Sequence, residues 1–227
     1  MPEASAAPHR RPFPAGLRTV LTGLRLGLLA ALAAAVLAAC GGGPGASLPD
    51  EVVASARHAN GGPTEITLLT VVHNRTGAGD HSALLIAGEE RVIYDPAGTF
   101  RLEVAPRRGD VIHGVSPDVE VIYLGYHARE THHVVAQTLP LTAAQARAAQ
   151  ATAAGFRPAP AGFCAIRTGA VLRSIPGLEG LSTSPWPRRL SERFGALPDV
   201  TETRIDLDDI PLSARPRGPE SLAAPAG

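Results

Sequence analysis

The chain of 227 residues contains two cysteines, Cys40 and Cys164, and Cys164 is the one placed for chemistry within a folded domain. It follows the loop Pro158-Ala159-Pro160-Ala161-Gly162 and stands near the start of Phe163 to Ile175, a stretch that reads as a helix stopped by Pro176-Gly177. At a helix start the unpaired backbone N–H groups and the positive end of the dipole stabilise a thiolate. Arg167, one turn on, would add positive charge. A nucleophilic thiol also needs a base in hydrogen-bond reach and a third group to orient that base. His81 is the best candidate base: it opens a predicted strand after the Gly-rich loop Asn74 to Asp80, at a sheet edge. Asp95 or Tyr94, at the far end of the adjacent strand, would lie beside it, because in a short hairpin the end of one strand faces the start of its partner. Each residue also has a plainer reading. Cys164 shares a helical face with Val171, Leu172 and Ile175, and free cysteine is among the most buried residue types. His81 could simply bond Asp80.

Cys40 belongs to a different kind of signal. Arg10, Arg11, Arg18 and Arg25 precede or flank the start of an uncharged apolar stretch, Leu26 to Ala39, that ends in Leu37-Ala38-Ala39-Cys40. A basic lead, an apolar run of about 7–15 residues and a small-residue cleavage site make a signal peptide; a spanning helix needs about 20 apolar residues. Leu37-Ala38-Ala39-Cys40 resembles a bacterial lipobox, which implies cleavage before Cys40 and a lipid on its sulfur. The expected partner is therefore a membrane, reached through the lipid anchor. Gly41 stands where an aspartate would resemble an inner-membrane retention signal, so the expectation is the periplasmic side of the outer membrane. Lipidation would leave Cys164 as the single free thiol of an exported protein, with no partner for a disulfide.

Other polar groups carry weaker signals. His127, His132 and His133 cluster with Glu130 and Asp110 as further donors, but their spacing matches no zinc pattern. Adjacent residues on a strand also point to opposite faces. They read as a polar turn leading into a strand, and no cofactor or metal is expected. Asp206, Asp208 and Asp209 lack the glycine and glutamate of a calcium loop and read as a solvated face. The 21 basic and 21 acidic residues balance, which argues against nucleic acid as a partner. Every basic residue is arginine; with abundant Ala, Gly and Pro, this fits a GC-rich genome rather than a function.

The elements that must position these residues follow from local pattern. Residues 1–39 form the signal peptide and 40–63 a flexible tether, with a short helix around Glu51 to Arg57. Residues 65–210 form a single α+β domain, and 211–227 a Pro/Ala/Gly-rich disordered tail. Ile66 to Val72, His81 to Ile86 and Arg91 to Tyr94 are short apolar runs joined by turns, predicting an antiparallel meander. Ser116-Pro117-Asp118-Val119-Glu120 is a helix start with a capping serine and Pro at the first position. Val119, Ile122, Tyr123 and Tyr126 then share a helical face. Alternation of Val119, Val121 and Tyr123 would suit a strand, and helix is preferred. His133 to Leu139 predicts a strand, Thr142 caps a helix to about Ala154 ended by Gly155, Pro187 to Phe194 a short helix and Val200 to Leu207 a late strand.

The order Gly79-Asp80-His81-Ser82-Ala83-Leu84-Leu85-Ile86, Tyr94-Asp95-Pro96-Ala97-Gly98, then strand, Leu139-Pro140-Leu141-Thr142 and helix, then Cys164 opening a helix, resembles circularly permuted papain-like hydrolases. These are relatives of NlpC-type cell-wall peptidases and lecithin:retinol acyltransferases in which histidine precedes cysteine. The resemblance covers roughly Glu65 to Leu197. It implies an antiparallel sheet packed against a few helices, with Cys164 as nucleophile, His81 as base and Asp95 as third member. The implied substrate is a peptide, amide or ester of the cell envelope. Phe163 stands where such proteins often carry a polar residue, commonly Asn. The alternative expectation is therefore an inactive relative that binds or scaffolds.

Overall fold

The computed structural model describes residues 48–215. The signal segment, Cys40, the first part of the tether and the last residues of the tail lie outside the described residues.

Glu65–His73 (β1) is a run of β-branched and aliphatic residues buried along nearly its whole length, as a strand covered on both faces must be. It pairs antiparallel with Gly79–Ala87 (β2) on one side and His132–Pro140 (β6) on the other. Arg91–Tyr94 (β3) extends the sheet from β2. Two-residue strands Arg107–Arg108 (β4) and Val111–Ile112 (β5) complete that edge, and Thr201–Ile205 (β7) pairs with β6 at the other. The seven strands run in the order β4-β5-β3-β2-β1-β6-β7, every neighbour antiparallel.

Five α-helices are found among the described residues: Asp50–Ala56 (α1), Pro117–His127 (α2), Ala143–Gly155 (α3), Cys164–Arg173 (α4) and Pro187–Gly195 (α5). Successive side chains of a strand point to opposite faces, so the sheet has a core on each. Ile66, Leu68, Leu84 and Ile86 pack with Ala149, Val171, Leu172, Leu190 and Phe194 of α3, α4 and α5. Leu69, Val71, Leu85 and Ile93 pack with Val119, Tyr123 and Leu124 of α2. The fold is α+β, as expected.

Between Ser116 and His127 the chain takes the helical alternative. Ser116 accepts the Val119 N–H at 3.3 Å and Pro117 occupies the first turn, so the cap outweighs the strand-like alternation. Thr142 caps α3 in a reciprocal box with Gln145.

Two expectations are corrected. The segment assigned to a tether through residue 63 is folded onto the domain well before its end. Val53 of α1 is buried, the Arg91 N–H bonds the His58 carbonyl and the Asn60 N–H bonds the Glu89 carbonyl. Polar composition concealed this because the attachment is mostly backbone hydrogen bonding. The tail assigned to disorder from residue 211 continues as a turn of 3-10 helix, Leu212–Ala214. Gly125 of α2 lets the backbone of Ala214 come close: a Cβ there would collide with the Ala214 carbonyl.

Candidate active site

The site is built where β2 outruns β3. Only Leu84–Ala87 of β2 pair with β3, so the Gly79–Ala83 half has no strand on that side. The N-terminal half of α4 lies against this part of β2, where Thr168 Oγ1 donates to the Ser82 carbonyl at 3.3 Å. Cys164 is the first residue of α4. No side chain caps that helix end, and the backbone amides of Ser82 and Ala165 lie near the sulfur. A register shift between Val71 and Val72 sets Val71 opposite His81 and Val72 opposite Gly79, leaving Asp80 as the extra residue. Such a bulge re-aims the side chains beside it.

His81 Nε2 donates to Asp95 Oδ1 at 2.6 Å, which leaves Nδ1 free of the carboxylate, and the Cys164 thiol lies near enough for the imidazole and the sulfur to shift each other's ionisation. Asp95 follows β3 and is fully buried. Its Oδ1 also accepts from Tyr123 OH at 3.0 Å, and its Oδ2 from Arg107 Nη1 at 2.7 Å. Arg107 Nη2 reaches the Asp95 carbonyl at 2.6 Å and Asp110 Oδ1 at 2.9 Å. Asp110 Oδ2 takes the Ala159 N–H at 2.7 Å, in the loop that delivers Cys164. One continuous set of hydrogen bonds thus joins the base to the loop carrying the thiol.

The electrostatics follow. Burial of Asp95 favours its neutral form, but the hydrogen bond and charge of His81, then His127 and Arg107, overcome this and hold the carboxyl well below the usual carboxylate range. Burial of His81 works against its charge. The hydrogen bond and charge of Asp95, together with the nearby Cys164 sulfur, outweigh burial and push the imidazole up to about 9. For Cys164 burial again opposes ionisation, and the His81 contact with the Ser82 and Ala165 amides brings the thiol below its ordinary 9.0. Both shifts run toward a thiolate–imidazolium pair.

His127 lies beside His81, ring parallel at 8° with centroids 5.7 Å apart. Its Nδ1–H donates to the Tyr123 carbonyl at 2.9 Å, and burial lowers it to about 4. It is a neutral wall against the base. His81, Asp95 and His127 also form the group of donors, among the described residues, that could approach a metal, with ligand atoms within 4.8 Å of one another. Ligand atoms around a tetrahedral ion at about 2.0–2.1 Å stand roughly 3.3 Å apart. The 2.6 Å His81–Asp95 contact is a hydrogen bond that an ion would have to pry open.

Cys164, His81 and Asp95, proposed from sequence, are brought together. Tyr94, the other candidate orienter, is buried on the opposite face with its hydroxyl unpartnered among the described residues. Arg167 does not serve the thiolate; it stacks over the Phe156 ring at 4.8 Å. Asp80 bonds His132 at 2.8 Å and not His81. His127, expected in a polar turn, is the last residue of α2 and part of the site, whereas His133 bonds Asn74 at 2.6 Å elsewhere. Arg107, Asp110 and Tyr123 were not anticipated here. The spacing of Tyr123 and His127, one turn apart on α2, was the available signal. Cys164 is 6% exposed, between Phe163 and Ile166, both solvent-exposed.

Tyr123→Phe keeps the ring that packs edge-on against Phe100 but removes the bond to the Asp95 carboxylate. The expected loss is about 1.5–3 kcal/mol, typical of a hydrogen bond to a charged group, read from urea denaturation.

No family model, curated protein or solved structure matches this chain.

Proposed function

We propose that this chain is a membrane-anchored lipoprotein whose domain is a thiol hydrolase or acyltransferase of the permuted papain-like kind, acting on a peptide, amide or ester of the cell envelope. The observation that carries the reading is His81, bonded to the fully buried Asp95, with the Cys164 thiol beside its ring. The Cys164 thiolate attacks the carbonyl carbon. The oxyanion that forms is met by free amides in the uncapped first turn of α4. Imidazolium His81 gives its proton to the leaving amine or alcohol as the tetrahedral centre collapses to a thioester. Neutral His81 then takes a proton from water or an acceptor alcohol or amine, which attacks the thioester, and the thiol is regenerated on release. Asp95 keeps the ring oriented and favours its protonated form; Arg107, Tyr123 and His127 keep Asp95 and the ring in place.

The test uses 4-nitrophenyl acetate as a simple activated ester. A burst of 4-nitrophenolate with one acetyl group on Cys164 by mass spectrometry is expected, absent in Cys164→Ala. Iodoacetamide gives the pH dependence. With His81 present, the alkylation midpoint lies below 9.0. In His81→Ala the lowering partner is gone and burial remains, so the midpoint moves up. The near-burial of the sulfur favours a second reading, a binding or scaffolding module with an inert thiol. A Cys164 that is alkylated only in denaturant would establish that alternative.

The anchoring half of the proposal rests on the sequence of the signal segment and is tested separately. Metabolic incorporation of an alkyne fatty acid into the protein should be lost in Cys40→Ala.

A further inference from the structure

Three of the six large apolar side chains that stand exposed among the described residues gather at one end of the fold. Phe163 is 45% exposed, Ile166 40% and Trp186, the chain's single tryptophan, 64%. Exposed apolar residues scattered singly are ordinary; these are not scattered. Phe163 precedes Cys164 and Ile166 lies in the first turn of α4, whose start is beside Ser82. Gly79 places Trp186 with them. A Cβ there would come within 2.5 Å of the Arg188 N and 3.0 Å of the Pro187 Cβ, so the start of α5 lies against β2 two residues from His81. The starts of both helices therefore share the Gly79–Ser82 end of β2.

The loops at this end carry unpaired positive charge. Arg75, in the turn between β1 and β2, Arg157, in the loop that leads to Cys164, and Arg189, in the first turn of α5, are exposed and make no side-chain hydrogen bond or ion pair among the described residues. The acids nearby are mostly engaged: Asp80 by His132 at 2.8 Å and Glu192 by Arg188 at 3.1 Å, with Glu130 the exposed exception. Asp206, Asp208 and Asp209 follow β7, three strands from β2 and so roughly 14 Å to one side.

Where the chain enters points to the occupant. Arg108 holds the Leu48 carbonyl at 2.8 Å and Asp50 at 2.7 Å, next to the Arg107 that holds Asp95. From there α1 leads away to Arg57, which bonds Glu90 in the turn between β2 and β3, at the far end of the sheet. An anchored chain would thus arrive from the same end that bears the apolar side chains. Tryptophan settles at the headgroup level of a bilayer, and a basic residue near an anionic surface gains about 1 kcal/mol.

We infer that this end of the domain docks on an anionic lipid bilayer, with Phe163, Ile166 and Trp186 in the headgroup layer and Arg75, Arg157 and Arg189 against lipid phosphates. The inference rests on the anchoring half of the proposed function and not on catalysis. Docked in this way, the Cys164 end of α4 faces the membrane.

The experiment reads Trp186 fluorescence, free of any other tryptophan, in the full chain reconstituted into vesicles of phosphatidylglycerol and phosphatidylcholine. A blue-shifted emission is expected, quenched by lipids brominated on their acyl chains and shielded from acrylamide. Both effects should weaken in vesicles of phosphatidylcholine alone. Phe163→Ser with Ile166→Ser, two exposed positions outside the core, should lose the shift and the quenching. Arg75→Gln with Arg189→Gln should lose the dependence on anionic lipid. The Cys40→Ala chain, added to the same vesicles, should still show the shift at higher lipid, so failure of the anchor and failure of the docking surface are read apart. An emission that vesicles leave unchanged and open to acrylamide overturns the inference. So does undiminished quenching in both double variants, or a blue shift that follows protein concentration instead of lipid, which would assign the surface to a second copy of the chain.

Discussion

Asp95→Ala is expected to cost about 3–5 kcal/mol of stability, the range for removing one partner of a buried ion pair. The cause is what stays behind. Arg107 is nearly buried and would keep its charge with Asp110 alone, while Tyr123 OH and His81 Nε2 would each lose their acceptor. Urea denaturation measures the loss, and a change under 1 kcal/mol would refute the picture of Asp95 as the buried centre of the site. The pH dependence has a definite sign. The folded carboxyl is held below its ordinary range, so its contribution is present above the unfolded value near 3.9 and disappears as pH falls through the folded one. His81 is raised from 6.5 to about 9, so its contribution is complete below 6.5 and disappears as pH rises through 9. The wild type should therefore lose stability on both the acid and the alkaline side, and Asp95→Ala should flatten both limbs. The same variant removes what raises His81, so the alkylation midpoint of Cys164 should climb toward that of His81→Ala.

Gly98→Ala should disable the site without replacing any of its polar groups. A Cβ at Gly98 would fall inside the carboxylate of Asp95, against both oxygens and Cγ. Overpacking a rigid interior costs about 1–3 kcal/mol, occasionally more. Here the side chain that would have to yield is fixed by His81, Tyr123 and Arg107 together. Thiol reactivity should fall as far as in Asp95→Ala. Gly155→Ala, at the end of α3 with nothing within 4 Å of the added carbon, serves as the control and should leave both stability and reactivity unchanged. Normal Cys164 alkylation in Gly98→Ala would mean that the carboxylate does not act through its present position.

The parts of this architecture legible from sequence are those encoded locally. β1, β2 and β3 were found from short apolar runs bounded by turns, α3 from the Thr142 cap and the glycine that ends it, and the start of α4 from the loop that ends at Gly162. Cys164 and His81 could be paired because each lies at the end of an element, where local signals are strongest. Arg107 could not be read in this way: it belongs to a two-residue strand, too short for any periodicity, and its partners Asp95 and Asp110 become neighbours only when β5 closes the edge of the sheet. His127 was misread because the turn after it looked polar, although the side chain itself points back along α2 to the Tyr123 carbonyl.

The early docking of the chain has a mechanical corollary. Leu48 and Asp50 are already bonded to Arg108, the neighbour of Arg107 in β4. On the proposed anchoring, seven residues stand between Cys40 and Leu48, and the eight residue steps, fully extended, reach at most about 28 Å. A leash running to residue 63 would reach roughly 80 Å. If both proposals hold, the shorter reach would confine the domain to a shell about as deep as one bilayer core, roughly 30 Å, with its first docked residues bonded one position along the strand from the arginine that holds Asp95. Substrates would be sampled from the membrane's own surface layer rather than from the compartment at large.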